Sequence, residues 1–275
     1  MPGLDDPAIY IGVVEKGFAM LELTVEAEQK HSSTPPRQSA PGILAKALSK
    51  LEDNRSPSKF GGGPETDTMS YLAPHMKFIF KMALSNLWIF RDIVSSILSR
   101  DPGTDAIQRT TTAITIVEAG FKDNVVPGEA RATVNHRIHP SETLEDIVEH
   151  DKKIINDERV QFNTIRYSPP TPVSPYSNDV KQFQVIANSA LQVLRYIHIV
   201  STLSFFIFKV FPNGHITPGT MIANTDTKHY LHLTQNIYRL DSRILLNSPM
   251  FNLFILMFVT ANNVVYIEGL LQLSH

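Results

Sequence analysis

Cysteine is absent from the 275 residues, which excludes disulfide scaffolds, thiolate zinc sites and cysteine nucleophiles together. The absence leaves the compartment open. A basic excess is missing as well: 25 Lys and Arg stand against 27 Asp and Glu, for a net charge of -2. Proteins that grip DNA or RNA by neutralising phosphates carry such an excess, so no nucleic-acid partner is expected. The opening segment, Met1 to Pro7, has no basic stretch leading into an apolar run, and no secretory leader is expected there. On that reading the chain begins in the cytosol or begins incomplete. Ile244 to Ile267 is free of charge, but Asn247, Asn252, Asn262, Asn263 and Pro249 interrupt it. A membrane span needs about 20 mainly apolar residues, so the run reads as buried core or as misplaced sequence rather than as a span.

With 43% hydrophobic and 19% charged residues, what remains is the composition of a globular protein long enough for one large domain or two smaller ones. Tyr10 to Glu28 reads as a strand pair, in which Leu21, Leu23, Val25 and Ala27 alternate with Glu22, Thr24, Glu26 and Glu28. Ile43, Leu44, Ala47, Leu48 and Leu51 keep helical spacing behind Pro41, which suits a first turn. Ser56 to Asp67 is expected to be a loop, and Tyr71 to Leu98 one or two helices interrupted near Ser85 and Asn86.

Thr110 to Val117 and Glu129 to Ile138 are strands, the second turning Ala130, Ala132, Val134 and Ile138 inward; Gly120 to Gly128 connects them. A helix from Ser141 carries the stripe Leu144, Ile147, Val148, Ile154 and Ile155, with acids at its start and Lys152 and Lys153 at its end. Val160 to Tyr167 is another strand, and the four prolines between Ser168 and Pro175 mark a boundary. Asp179 to Tyr196 is helical by spacing and runs into an uncharged stretch without a clear period. The order strand, helix, strand, strand, helix, strand implies an α+β layer: a four-stranded antiparallel sheet with two helices on one face.

Four stretches together resemble peptidase family M20, the aminoacylase and carboxypeptidase S group of two-zinc hydrolases. They are Glu15 to Gly17; His31 to Pro36; Asn124 to Pro127 running on to Val134 through Pro140; and Asn224 to Tyr230 with Leu233, Thr234 and Ile237 to Arg239. The resemblance implies a lid or dimerisation domain over residues 10–167, preceded by a remnant of an α/β zinc-hydrolase catalytic domain at 1–9. A partial catalytic domain follows at 168–240, and the apolar tail at 241–275 falls outside the family pattern. Zinc is the implied cofactor, as two ions. The family's ligands and general base lie mostly outside the matching segments, and no ligand set is found in this chain. His136 with His139, and His229 with His232, have three-residue spacing but no His-Glu-x-x-His frame, and they read as ordinary strand and loop histidines.

The resemblance assigns His31 to a catalytic role, polarising the scissile carbonyl across a homodimer. It assigns Asn124 and Arg137 to holding the substrate's carboxylate or carbonyl oxygen, and Asn224, Thr225 and Lys228, with Asp226 among them, to a loop that closes over substrate. The bland readings are a turn histidine bonded to neighbouring hydroxyls and a solvated strand arginine. Lys30 and Ala223 stand where the family has glycine, which puts the backbone conformation there in question. The implied substrates are N-acyl amino acids or small peptides, and a membrane partner is not expected. Three readings compete: a zinc amidohydrolase or carboxypeptidase, inert as this chain alone; a dimerisation or binding module; and an incomplete gene product in which 196–209 and 240–275 are foreign to the family.

Overall fold

The computed structural model describes residues 8–201, 215–241, 252–259 and 264–272. These residues pack as two units, one from the described parts of Met1–Glu15, Phe60–Ile107 and Thr171–His275, the other from Lys16–Lys59 and Gln108–Pro170.

The second unit is the expected four-stranded antiparallel sheet with two helices. Strands β2 (Gly17–Glu26), β4 (Thr111–Ala119), β6 (Glu129–Ile138) and β7 (Val160–Ser168) lie in the order β4-β6-β2-β7. Alternation sets the register: Leu21, Leu23 and Val25 of β2 sit opposite Val134, Ala132 and Ala130 of β6, and all six are buried. Helix α1 (Ala40–Asp53) covers this face with Ile43, Leu44, Ala47, Leu48 and Leu51. Ser39 caps it, accepting from the Gly42 N–H, with Pro41 in the first turn. Helix α6 (Leu144–Ile155) starts three residues later than the expected Ser141, at a capping box in which Thr143 and Asp146 satisfy each other's backbone N–H. Glu142 is not part of the helix; it is paired with Lys59 at 2.9 Å.

One short pair was not foreseen. Within the expected loop Gly120 to Gly128, β5 (Val125–Val126) pairs antiparallel with β3 (Lys30–His31).

The first unit is built on a sheet of β11 (Val264–Gln272), β10 (Asn252–Val259), β9 (Ile237–Asp241), β1 (Ala8–Glu15) and β8 (His215–Met221), adjacent in that order. The strand pair expected over Tyr10 to Glu28 is therefore two strands of different sheets. β1 runs parallel to β8 and antiparallel to β9, and Ile9, Ile11 and Val13 pack with Phe183, Ile186 and Tyr238. Burial on both faces explains why β1 does not alternate in polarity.

Helices α2 (Pro64–Leu72), α3 (Phe78–Leu84), α4 (Leu87–Leu98) and α5 (Pro102–Gln108) follow Phe60. The break at Ser85 and Asn86 is where the spacing put it, whereas α2 begins inside the expected loop, at Pro64 with Glu65 and Asp67 in its first turn. Thr68 of α2 donates to the Pro218 carbonyl at 2.6 Å, tying this run to β8 rather than to the lid sheet, where residues 60–107 had been expected. Helix α7 spans Lys181–Ser201. No helix among the described residues is long and apolar enough to cross a membrane, and the described part of the charge-free run near the C-terminus is β10 and β11. Residues 202–208 of the other uncharged stretch lie outside the described residues.

Candidate functional site

In the second unit the β3–β5 pair brings His31 beside Asn124. His31 lies opposite Val125, and the Ser32 N–H donates to the Asn124 carbonyl at 3.0 Å. The imidazole is exposed. Its Nδ1 lies 2.8 Å from Ser33 Oγ and accepts from the Ser33 N–H at 3.2 Å. A backbone N–H can only donate, so Nδ1 is the acceptor and the neutral ring carries its proton on Nε2. The remaining donor, Nε2–H, is the kind of group that polarises a carbonyl oxygen.

The Asn124 side-chain oxygen is buried and finds no hydrogen-bond donor among the described residues. A buried amide oxygen left so costs about 1–3 kcal/mol and is the sort of group that a ligand completes. Lys30 is extended, paired with Val126 and ion-paired with Glu28 at 2.9 Å. Among the described residues only Asn156, of those other than glycine, has a positive φ, so neither Lys30 nor Ala223 strains its backbone.

Arg137 is not part of this cluster. It pairs in register with Phe18 and Thr111 near the opposite end of β6, eight residues beyond Glu129, or roughly 26 Å of strand. Its guanidinium carbon lies 5.2 Å from the centroid of the Phe18 ring, a cation–π arrangement.

In the first unit, Asn224, Thr225 and Lys228 lie on and before the short turn Asp226–His229. Lys228 is exposed and Asn224 half-buried. Thr225 turns inward: its hydroxyl donates to Glu15 and accepts from the Thr227 N–H at 3.3 Å, capping the turn. Thr227, buried, donates to the other Glu15 oxygen at 2.9 Å and accepts from Arg239 Nη2 at 2.5 Å. Arg239 Nε lies 2.8 Å from Glu15, and neither side chain reaches solvent appreciably. Burial pulls the Arg239 guanidinium below its ordinary range, with Glu15 opposing that shift. This network anchors the loop. Sequence reasoning gave Glu15, Thr227 and Arg239 no role, although an acid and an arginine ending apolar runs are signals of buried pairing.

The histidine pairs separate into different roles. His136 fills the inward face of β6, with Nε2 3.1 Å from Asp151 of α6 and Nδ1 3.2 Å from Thr112 Oγ1. His139 is buried over Ser141, whose N–H and Oγ lie 3.2 and 2.8 Å from its Nδ1. Burial, with Lys16 nearby, lowers its pKa to about 4. His229 and His232 are exposed. Among the described residues no three His, Asp or Glu side chains gather around one point as a zinc site requires.

A family described as peptidase dimerisation domain, of the M20 peptidases, matches residues 13–163. The N-fatty-acyl-amino acid synthase/hydrolase PM20D1 of Mus musculus is 41% identical over 242 residues, covering 88% of this chain and 45% of that protein. The probable carboxypeptidase S-like 2 of Dictyostelium discoideum is 40% identical over 251 residues, covering 90% and 44%. This chain thus spans less than half the length of both. Among solved structures, the M20 family metallo-carboxypeptidase Sso-CP2 of Sulfolobus solfataricus is similar at 14% identity, a TM-score of 0.47, and coverage of 82% of this chain and 56% of that one. The match covers more than half of the sequence and takes in the four-stranded sheet with its two helices: the chain belongs to the M20 peptidase family and carries its dimerisation domain.

Proposed function

We propose that this chain is the clamp of an M20-type amide hydrolase, pairing through its lid with a second copy or an intact relative and supplying His31 and Asn124 to the hydrolysis of N-acyl amino acids or small peptides. One observation carries the reading: an exposed imidazole with Nδ1 occupied by Ser33 and Nε2–H left to donate, beside a buried amide oxygen that lacks a donor among the described residues. The names of the relatives, N-fatty-acyl-amino acid synthase/hydrolase and carboxypeptidase S-like protein, support the substrate class. Arg137 is proposed separately as a group that holds the substrate's carboxylate or carbonyl oxygen, and in the first unit Asn224, Thr225 and Lys228 are proposed as parts of a loop that closes over substrate.

Taken alone, the chain is proposed to be inert, because a hydrolytic zinc pair needs converging carboxylates and imidazoles. Zinc analysis tests this half: about two ions per purified chain would overturn it. Trans-complementation tests the rest. An intact M20 relative inactivated by replacing its own lid histidine should regain N-acyl amino acid hydrolysis when mixed with this chain, and not when mixed with the His31→Ala variant. No recovery, or equal recovery with both, overturns the clamp reading.

A further inference from the structure

Helices α3 and α4 carry more apolar side chains than their core accepts. α4 turns Leu87, Phe90, Val94 and Leu98 into the cluster around Phe60, Met69 and Leu72, which is one stripe at helical spacing. A surface helix needs no more than that. Yet Ile89, Ile93 and Ile97 form a second stripe at four-residue intervals, about half exposed, and Trp88 in the first turn is 83% exposed. On α3, which packs against α4, Phe78 is 78% exposed and Ile79 72%. Single exposed apolar residues are ordinary; a group of this size on two adjoining helices marks a docking surface.

Charge decides the occupant. From Lys77 to Arg100 the charged residues are Lys77, Lys81, Arg91 and Arg100 with a single acid, Asp92, and all five are exposed. Asp92 is already held 3.3 Å from Arg91. A second copy docked about a two-fold axis would set these cations against one another. An anionic lipid surface satisfies both features: the rings and isoleucines enter the acyl boundary while lysine and arginine stems reach the headgroups. Length fixes the mode. The 12 residues of α4 and 7 of α3 extend about 18 and 10 Å, short of the ~30 Å hydrocarbon core, so the helices lie in the interface plane. Such contact is peripheral and needs no spanning segment.

We propose that the α3–α4 pair is a peripheral docking site for anionic lipid surfaces. Trp88 is the sole tryptophan of the chain, so the emission of the whole protein reports on this surface. Vesicles of equimolar phosphatidylcholine and phosphatidylserine should shift that emission to the blue, and brominated acyl chains should quench it; phosphatidylcholine alone should act more weakly. The double variant Phe78→Ser with Ile79→Ser, which keeps Trp88, should weaken partition about tenfold or more while thermal unfolding is unchanged. Lys77→Gln with Lys81→Gln should remove the preference for phosphatidylserine. The proposal is overturned if neither vesicle shifts the emission, if both shift it equally, or if brominated chains fail to quench. A blue shift that grows with protein concentration without lipid would also overturn it, because a second copy would then be covering the face.

Discussion

The Glu15 carboxylate meets the Arg239 guanidinium at 2.8 Å with both side chains buried, joining the end of β1 to β9 and enclosing the Thr227 hydroxyl between them. Removing one member of such a pair leaves the other charged and desolvated. Glu15→Ala is therefore expected to destabilise the chain by about 3–5 kcal/mol, read by urea unfolding. Replacing both Glu15 and Arg239 by methionine should cost less than the two single losses combined; strict additivity would show that they are not coupled.

His139 gives acid sensitivity with an unusual sign for histidine. Its folded-state pKa, about 4, lies below the ordinary 6.5, because burial and the Lys16 and Lys59 charges outweigh the opposing pull of Glu142. The unfolded chain then binds the proton first, so stability is complete above about pH 6.5 and is lost as pH falls towards 4. The loss amounts to about 3 kcal/mol. Denaturation midpoints measured across that window should fall with pH in the natural chain and fall less in His139→Gln.

The close approach of β8 to β1 leaves no space at Gly219. A Cβ there would stand 1.8 Å from the Tyr10 ring, whose hydroxyl donates to the Thr220 carbonyl at 2.8 Å and so resists displacement. Gly219→Ala should cost about 2–3 kcal/mol in thermal or denaturant unfolding. Gly12 is a control of similar geometry: its Cβ would overlap the flexible Met221 side chain and only touch the Arg239 Cβ, at 3.4 Å, so Gly12→Ala should cost distinctly less.

At the start of α6, Thr143→Ala removes the side-chain acceptor for the Asp146 N–H and breaks the capping box. Stability should fall by about 1 kcal/mol. The Asp146 carboxyl, held below its usual range by hydrogen bonds from Thr143, should titrate closer to the ordinary carboxylate value in the variant, as NMR would report.

Much of the lid was legible because its signals are local. Ala130, Ala132, Val134 and Ile138 alternate, and the α1 and α6 stripes recur at helical spacing, so each segment declares which side it buries whatever its partner. Asn124 and His31 could be named from motifs. Their proximity could not, since β5 is two residues long and lies in a stretch that otherwise reads as a turn. Arg137 belongs to the same motif region, yet β6 carries it eight residues beyond Glu129, to the strand's other end.

Composition and periodicity alone determined the α+β class, the lid helices and the absence of thiol chemistry, since these depend on residue type and on neighbours within one or two turns. Only the tertiary structure decided that β1 leaves β2 for a different sheet, that α2 packs with β8, and that Glu15 finds Arg239. Hydrogen bonds across strands and burial of a charge depend on what the rest of the chain brings alongside, and no local pattern specifies a partner some two hundred residues distant.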